Sequence, residues 1–475
     1  MLDKTFTRTK IVCTIGPAVL KFETMVALME AGMDVARLNF SHGVEEEHHR
    51  SIQNLKKARE KLGRPMAIMV DTQGPEVRIG KVHNDAIPIA PKQRLKFALE
   101  GDGIETIAIH PVEVFSVLRV GLRVLFDDGY LIADVIEKGP KFAVLEMQNG
   151  GTLKSGKKMN LPGVHLPIPA MTPKDIADIQ FACQHDVEVV AGSFIRSAEH
   201  ILAIRKELEK HGKPNILVVA KIESTEGIEQ FDKIVEVADG IMIARGDLGV
   251  ELDLALVPKL QKMMIRKCFQ ASKPSITATQ MLESMITNPR PTRAEVSDVA
   301  NAIYDATSCI MLSGETAVGK YPIETVQRMR SIAQEAESDF DYRAFFEHRS
   351  QCEESDLSSA IAMAAVKTAY GAKAKAIFSF TATGATARLV SRLRPEMPII
   401  ALTDDPSTYH QLALNWGVVP LLGGRCDNFR QAFALASNLA LARGLIAVGD
   451  VVVVTTGTPF GQKGSTNTMV VETIS

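Results

Sequence analysis

The sequence predicts an α/β protein: a (β/α)8 TIM barrel, a small β-barrel domain inserted into it, and an open α/β domain at its C-terminal end. Three observations predict this. Short apolar runs alternate with helical patterns eight times between Lys10 and about Pro322, and eight βα units are what a closed barrel needs. The alternation is interrupted once, from about Pro75 to Pro169, by a stretch rich in Val, Ile and Gly with alternating runs. After Ser355 a further series of five strands with helices begins. A doubly wound open sheet is the runner-up on pattern alone.

In chain order, strands are expected at Lys10–Ile15, Asp34–Phe40 and Met66–Val70, separated by helices at Lys21–Ala31 and Glu45–Leu62. The interruption holds alternating segments at Leu95–Leu99, Arg123–Phe126, Leu131–Ile136 and Phe142–Met147, with Asp127, Asp128 and Gly129 as a turn signal. Gly74 with Pro75, and the run from Leu166 to Pro169, read as its two hinges. A domain of residues 75–169 inserted above a barrel strand covers the active face, which makes it a lid. Thr172 and Pro173 then start a helix as N-cap and first helical residue. Strands at Val187–Ile195, Ile216–Ile222, Gly240–Ala244, Pro274–Thr279 and Ser308–Leu312 complete a barrel of residues 1–74 and 170–344. The charged, poorly periodic stretch Phe345–Asp356 leads into a third domain, 345–475. Its strands are expected near Ala376–Phe380, Ile399–Leu402, Val418–Leu421, Val451–Thr455 and Met469–Ile474.

Composition narrows the function. A chain of 475 residues with 46% hydrophobic and 23% charged residues fits a globular protein of several domains. The formal net charge of −2 gives no basic footprint for nucleic acid. Cys13, Cys183, Cys268, Cys309, Cys352 and Cys426 are scattered without a CxxC pair, as expected of reduced thiols. The charged start MLDKTFTRTK has no apolar core of a signal peptide, and no apolar run approaches the roughly 18 residues of a membrane helix. A cytoplasmic location is the expectation.

The chemistry is expected at the strand tops, where barrel enzymes carry it. Lys221 and Glu223 lie two apart at the end of one strand, so their side chains share a direction. Asp247 ends the next strand, one βα unit later. Two carboxylates with few other partners suit Mg²⁺, and the lysine adds positive charge for a phosphate or an enolate. Arg37 can clamp a phosphate bidentately. Asn39, Ser41, Asp71 and Thr72 offer oxygen ligands with one negative charge, which suits a monovalent cation better. Thr14, Ser193, Thr279, Ser313 and Glu315 stand at other tops. These types fit phosphoryl transfer, which needs positioning and charge neutralisation more than covalent chemistry.

In the third domain Thr381, Thr383, Gly384 and Thr386 join a strand to a helix, and a Gly-rich loop spans Gly457 to Thr468. Together they make a candidate small-anion site. GETAVGKY, from Gly314, nearly matches a P-loop but places Tyr321 where a short hydroxyl must hold Mg²⁺. No GxGxxG follows a strand, so dinucleotide binding is not expected.

The stretches RTKIVCTIGPA, ARLNFSHG, DTQGPEVR, NLPGV, GSFIR, AKIESTEG, DGIMIARGDLGVE, ITATQMLESMI, PTRAEVSDVANAIYDATSCIMLSGETAVGKYP and GSTNTM, in that order, resemble the pyruvate kinase family over essentially the whole chain. The resemblance implies phosphoryl transfer from phosphoenolpyruvate to ADP, with Mg²⁺ (or Mn²⁺) and K⁺ as cofactors. It implies that Lys221 stabilises the transition state and that Glu223 and Asp247 hold the divalent metal. It puts Arg37, Lys221, Gly246, Asp247 and Thr279 on phosphoenolpyruvate, and Asn39, Ser41, Asp71 and Thr72 on potassium. It puts Asn39, His42, Arg78 and Lys157 on the nucleotide side. Glu76 is the form that goes with potassium dependence. A water near Thr279 or Ser313 is expected to protonate the enolate. A homotetramer is implied, with a sugar-phosphate or nucleotide effector open in the third domain. The stretch RCDNFRQAFALASNLAL has no tryptophan, the chain's only one being Trp416, which argues against fructose bisphosphate. Two other readings are a barrel aldolase or lyase acting on pyruvate-like acids and a non-catalytic sensor of sugar phosphates.

Overall fold

Eight parallel strands close into a barrel in the computed structural model, which describes residues 6–351, 356–460 and 466–475. They are β1 (Lys10–Ile15), β2 (Val35–Asn39), β3 (Ala67–Asp71), β4 (Val189–Gly192), β5 (Leu217–Ile222), β6 (Gly240–Ala244), β7 (Ser275–Ala278) and β8 (Cys309–Leu312). β1 pairs with β2 on one side and with β8 on the other, which closes the ring. All their residues are buried except Asn39 and Leu217, which are half-buried. Parallel strands covered on both faces read as unbroken apolar runs, and that is why the sequence shows them clearly. Two of the helices between the strands start on paired side-chain caps. Thr172 with Asp175, and Thr292 with Glu295, form reciprocal capping boxes.

Several strands are shorter than the apolar runs suggest. β4 ends at Gly192 rather than Ile195, because Phe194 takes φ +52° and turns its amide toward β5. β7 ends at Ala278, because Thr279 and Gln280 both lie at positive φ.

The insertion leaves the barrel after β3. A seven-stranded sheet runs in the spatial order Met159–Asn160, Arg123–Phe126, Leu131–Lys138, Phe142–Met147, Arg94–Ala98, Ile107–His110, Arg78–Ile79. Its two end strands touch. Arg78 bridges Lys158, the Ile79 N–H donates to Lys157 O at 3.0 Å, and the Met159 N–H donates to Val77 O at 2.9 Å. The sheet thereby curls onto itself around a core that includes Phe97 and Phe126, stacked 5.5 Å apart. Ala86–Ile89 and Gly151–Lys154 form a separate ribbon.

The C-terminal part holds five strands: β9 (Ala376–Phe380), β10 (Ile399–Thr403), β11 (Val418–Leu422), β12 (Val451–Thr456) and β13 (Thr468–Thr473). Their order is β11-β10-β9-β12-β13, parallel but for β13. Of the Gly457–Thr468 loop, residues 461–465 lie outside the described residues, as does Cys352. The poorly periodic stretch Phe345–Asp356 opens inside the helix Tyr342–Arg349, and its residues 352–355 lie outside the described residues. Asp341 caps that helix, and Phe346 packs with the third domain's core against Tyr370.

The third domain plugs the barrel's N-terminal end. Ala413 and Leu414 pack with Val12, Met69, Met242 and Met311 inside the ring. Arg394, 2% exposed, crosses the same boundary. It donates to Ala306 O at 2.7 Å and Ser308 Oγ at 3.0 Å, and its guanidinium lies 4.7 Å from the Trp416 ring centre. Arg394→Ala orphans a buried carbonyl and opens a cavity, so we expect a loss of about 3 kcal/mol in urea unfolding. A midpoint equal to that of the parent protein contradicts this account of the domain boundary.

Candidate active site

One end of the barrel is stoppered, so the strand tops at the other end face the insertion. Asp71 ends β3 with its side chain fully buried, and two cations converge on it. Arg37, on β2, donates from Nε to Asp71 Oδ2 at 2.5 Å and from Nη1 to Thr14 Oγ1 at 2.9 Å. Lys221, on β5, places Nζ 3.0 Å from Asp71 Oδ1 and 3.1 Å from Glu223 Oε1. It also donates to Ser193 Oγ at 2.6 Å, and Ser193 Oγ lies 3.1 Å from Asp71 Oδ1. Ser193 reaches this position because Gly74, at φ +74°, passes so close that a Cβ there would lie 2.7 Å from the Ser193 Cβ.

Charge balance follows from these contacts. Burial opposes the Lys221 charge, but Asp71 and Glu223 outweigh it and hold its pKa above the ordinary lysine value. Burial likewise works against an ionised Asp71, and Arg37 and Lys221 bring its pKa below the usual carboxylate value. Glu223 is 3% exposed, and burial is the main cause that pushes it up to about 7, with Lys221 opposing and Asp247 assisting. The Phe194 N–H donates to its Oε2 at 2.5 Å. Arg37 and Lys221 therefore meet the Asp71 charge together, while Glu223 has Lys221 alone against a larger cost of burial.

Asp247 stands at the start of the short helix Arg245–Glu251 that follows β6. Its only ion partner among the described residues is Lys158, 3.6 Å from Oδ1. A cavity of about 60 Å³ is lined by Glu76, Lys158, Phe194 and Glu223 among others, which is space for an ion with some of its water. The Gly246 N–H donates to Thr279 Oγ1 at 2.8 Å. Thr279 holds φ +66°, a conformation that costs a β-branched residue about 1–3 kcal/mol. The Ser313 Oγ, at the top of β8, is buried and has no hydrogen-bond partner among the described residues.

The remaining sequence candidates fall into three groups. Asn39 and Asp71 are paired across β2 and β3, and Asn39 Oδ1 accepts the Ser41 N–H at 3.1 Å. The Thr72 Oγ1 accepts from the Ser193 N–H at 3.3 Å. The Asp71 charge, read from sequence as free for a monovalent ion, is already matched by Arg37 and Lys221. Second, His42 is exposed, and its carbonyl lies 2.9 Å from His48 Nε2. Arg78 holds Glu76 at 2.5 Å and Gly156 O at 2.8 Å. Lys157 turns into the insertion, 2.6 Å from Asp127. Third, Thr381, Thr383 and Thr386 line a cavity of about 310 Å³ with Lys273 and Arg388, far along the chain from the strand tops. Gly384, at φ +78°, lies between them.

Sequence reasoning missed Lys158 and gave no role to Thr14 or Ser193. The two hydroxyl residues were marked only by their places at strand tops. Lys158 had no signal beyond the doublet it forms with Lys157.

Residues 6–326 match the family model described as pyruvate kinase, barrel domain, and residues 359–472 match the one described as pyruvate kinase, alpha/beta domain. Among curated relatives, the pyruvate kinase of Geobacillus stearothermophilus is 44% identical over 98% of this chain and 80% of its own length. That of Chlamydia trachomatis serovar D is 48% identical over 87% of each chain. That of Clostridium acetobutylicum is 41% identical over 98% of this chain and 99% of its own.

Proposed function

The chain belongs to the pyruvate kinase family, and from that membership we infer how its barrel mouth does the family's work. The reaction moves the phosphoryl group of phosphoenolpyruvate to ADP and gives pyruvate and ATP. One observation carries our reading of the site: a buried ammonium, Lys221, stands within 3.1 Å of both Asp71 and Glu223, with Arg37 on the same aspartate. Asp71 fixes both cations before substrate arrives, so their charge needs no rearrangement during the reaction.

Arg37 and Lys221 bind the phosphate of phosphoenolpyruvate, and the Gly246 and Thr279 pair borders the rest of the substrate. The bond between phosphorus and the enol oxygen breaks as a terminal phosphate oxygen of ADP bonds to phosphorus. The electron pair stays on the enol oxygen, and Lys221 compensates that charge. The enolate carbon then takes a proton from water beside Thr279 or Ser313. The unpartnered Ser313 hydroxyl supports this side of the site.

Glu223 and Asp247 fit a divalent cation. They follow neighbouring strands, Glu223 lines the small cavity, and burial disfavours its bare charge. Mg²⁺ or Mn²⁺ held by Glu223 and Asp247 would supply further positive charge to the phosphoryl group and the developing enolate. Asn39, Ser41, Asp71 and Thr72 are our potassium ligands, relying mainly on neutral oxygens. Asn39, His42, Arg78 and Lys157 face the nucleotide, the last two from the inserted lid of residues 75–169. The barrel is residues 1–74 and 170–344, and residues 345–475 carry an effector phosphate at Thr381, Thr383, Gly384 and Thr386. No helix among the described residues is long and apolar enough to cross a membrane, and we place the enzyme in the cytoplasm as a homotetramer.

A coupled assay with phosphoenolpyruvate, ADP, Mg²⁺ and K⁺ tests the reading, with ATP and pyruvate expected in equal amounts. Pyruvate without ATP contradicts it. An imine-forming aldolase needs a free amine, whereas Lys221 is held as an ammonium, so borohydride is expected to trap no pyruvate on it. Glu76→Lys is expected to weaken the potassium requirement. An unchanged potassium titration counts against the role given to Glu76.

A further inference from the structure

Lys158 has no part in the chemistry above. Yet among the described residues it makes the one ionic contact between the insertion and the carboxylates assigned to the metal. Its backbone sits where the outgoing and returning connections cross. The Met159 N–H donates to Val77 O, the Ile79 N–H to Lys157 O, and the Asp127 N–H to Lys158 O at 3.3 Å. A side chain anchored there moves with the insertion. Its ammonium, 2.7 Å from Glu76 Oε1 within the insertion, nevertheless reaches the barrel, 3.6 Å from Asp247 Oδ1 and 5.5 Å from the Phe194 ring centre.

The two acidic partners differ in what they lose if Lys158 leaves. Glu76 keeps Arg78, whose Nε and Nη2 hold its other oxygen at 2.8 and 2.5 Å. Asp247 keeps no ion pair among the described residues. A divalent ion at Asp247 replaces what the ammonium supplies, and the two like charges repel if both stay. Glu76 remains satisfied meanwhile, so the Lys158 contact with Asp247 is the one that can be exchanged without stranding another buried charge.

We propose that Lys158 is a latch displaced by metal: its ammonium stands in for the divalent cation at Asp247, and the arriving cation releases it from that carboxylate. The proposal rests on the reading of Glu223 and Asp247 as the metal carboxylates. By linkage, the closed latch weakens metal binding by the same factor that bound metal weakens the latch.

The test is Mn²⁺ binding to the full-length protein without substrates, followed by the electron paramagnetic resonance signal of free Mn²⁺. Lys158→Met is expected to bind Mn²⁺ about tenfold more tightly than the parent, the effect of removing one charge near a carboxylate. Lys157→Met is expected to bind like the parent, because Lys157 pairs with Asp127 inside the insertion. Hydrogen exchange of segments 76–79 and 157–160 gives a second readout. Mn²⁺ is expected to speed it in the parent and to leave it unchanged in Lys158→Met. If Lys158→Met does not fold, Lys158→Gln takes its place. Affinity no tighter than the parent's overturns the latch. Asp247→Asn separates the two claims. If it loses Mn²⁺ while Lys158→Met matches the parent, the latch alone fails. If it binds Mn²⁺ like the parent, the metal assignment fails and the latch with it.

Discussion

Lys221→Met is expected to lower turnover by about a thousandfold or more while the protein stays folded. The magnitude is that of removing a preorganised charge from a developing oxyanion, about 4 kcal/mol or more of transition-state stabilisation. The fold survives because each carboxylate that loses the ammonium keeps another partner. Asp71 retains Arg37 at 2.5 Å, and Glu223 retains the Phe194 N–H. Methionine also fills nearly the same apolar volume as the lysine stem. Steady-state turnover and circular dichroism on one preparation check the two halves of the expectation. Near-parental turnover removes Lys221 from the mechanism, and loss of the helical signal shows that its role is structural.

Asp71→Ala is expected to damage both stability and activity, because Asp71 holds the two cations together. Its carboxylate is fully buried and accepts from Arg37, Lys221 and Ser193. Truncation leaves a guanidinium and an ammonium uncompensated side by side. Breaking a buried pair in this way costs about 3–5 kcal/mol. The melting temperature is expected to fall by about 10 °C, taking a few degrees per kcal/mol. Activity falls as well, since Arg37 and Lys221 lose the anchor that sets their positions. Asp71→Asn keeps an acceptor oxygen and is expected to fall between the two. Calorimetry that finds Asp71→Ala melting within about 2 °C of the parent contradicts the anchor.

Much of this site was legible in the sequence for a simple reason. Parallel barrel strands are buried on both faces, so each is an apolar run, and the first charged or hydroxyl residue after it marks a top. Lys221, Glu223 and Asp247 were readable in that way. Which groups touch was less legible. Arg37 and Asp71 stood apart as a phosphate clamp and a potassium ligand, but the register of β2 and β3 lets them pair. Neighbouring residues on an extended chain point opposite ways. The doublet Lys157 and Lys158 therefore sends one ammonium to Asp127 and the other to Asp247, and nothing in the pair of letters says which. The helix Tyr342–Arg349 was hidden because it is only eight residues long and its place is set by aromatic packing, Phe345 on Phe269 and Phe346 on Tyr370.

A single-turnover quench experiment tests most directly the claim that Lys221 meets charge as it develops. Phosphoenolpyruvate labelled on phosphorus is mixed with excess enzyme, ADP, Mg²⁺ and K⁺, and ATP formation is timed beside the dissociation constant of phosphoenolpyruvate. The account predicts that Lys221→Met slows the transfer step about a thousandfold or more and weakens binding by less than about tenfold, since the interaction is far stronger in the transition state than with bound substrate. A transfer step as fast as the parent's, with the whole loss in binding, contradicts it.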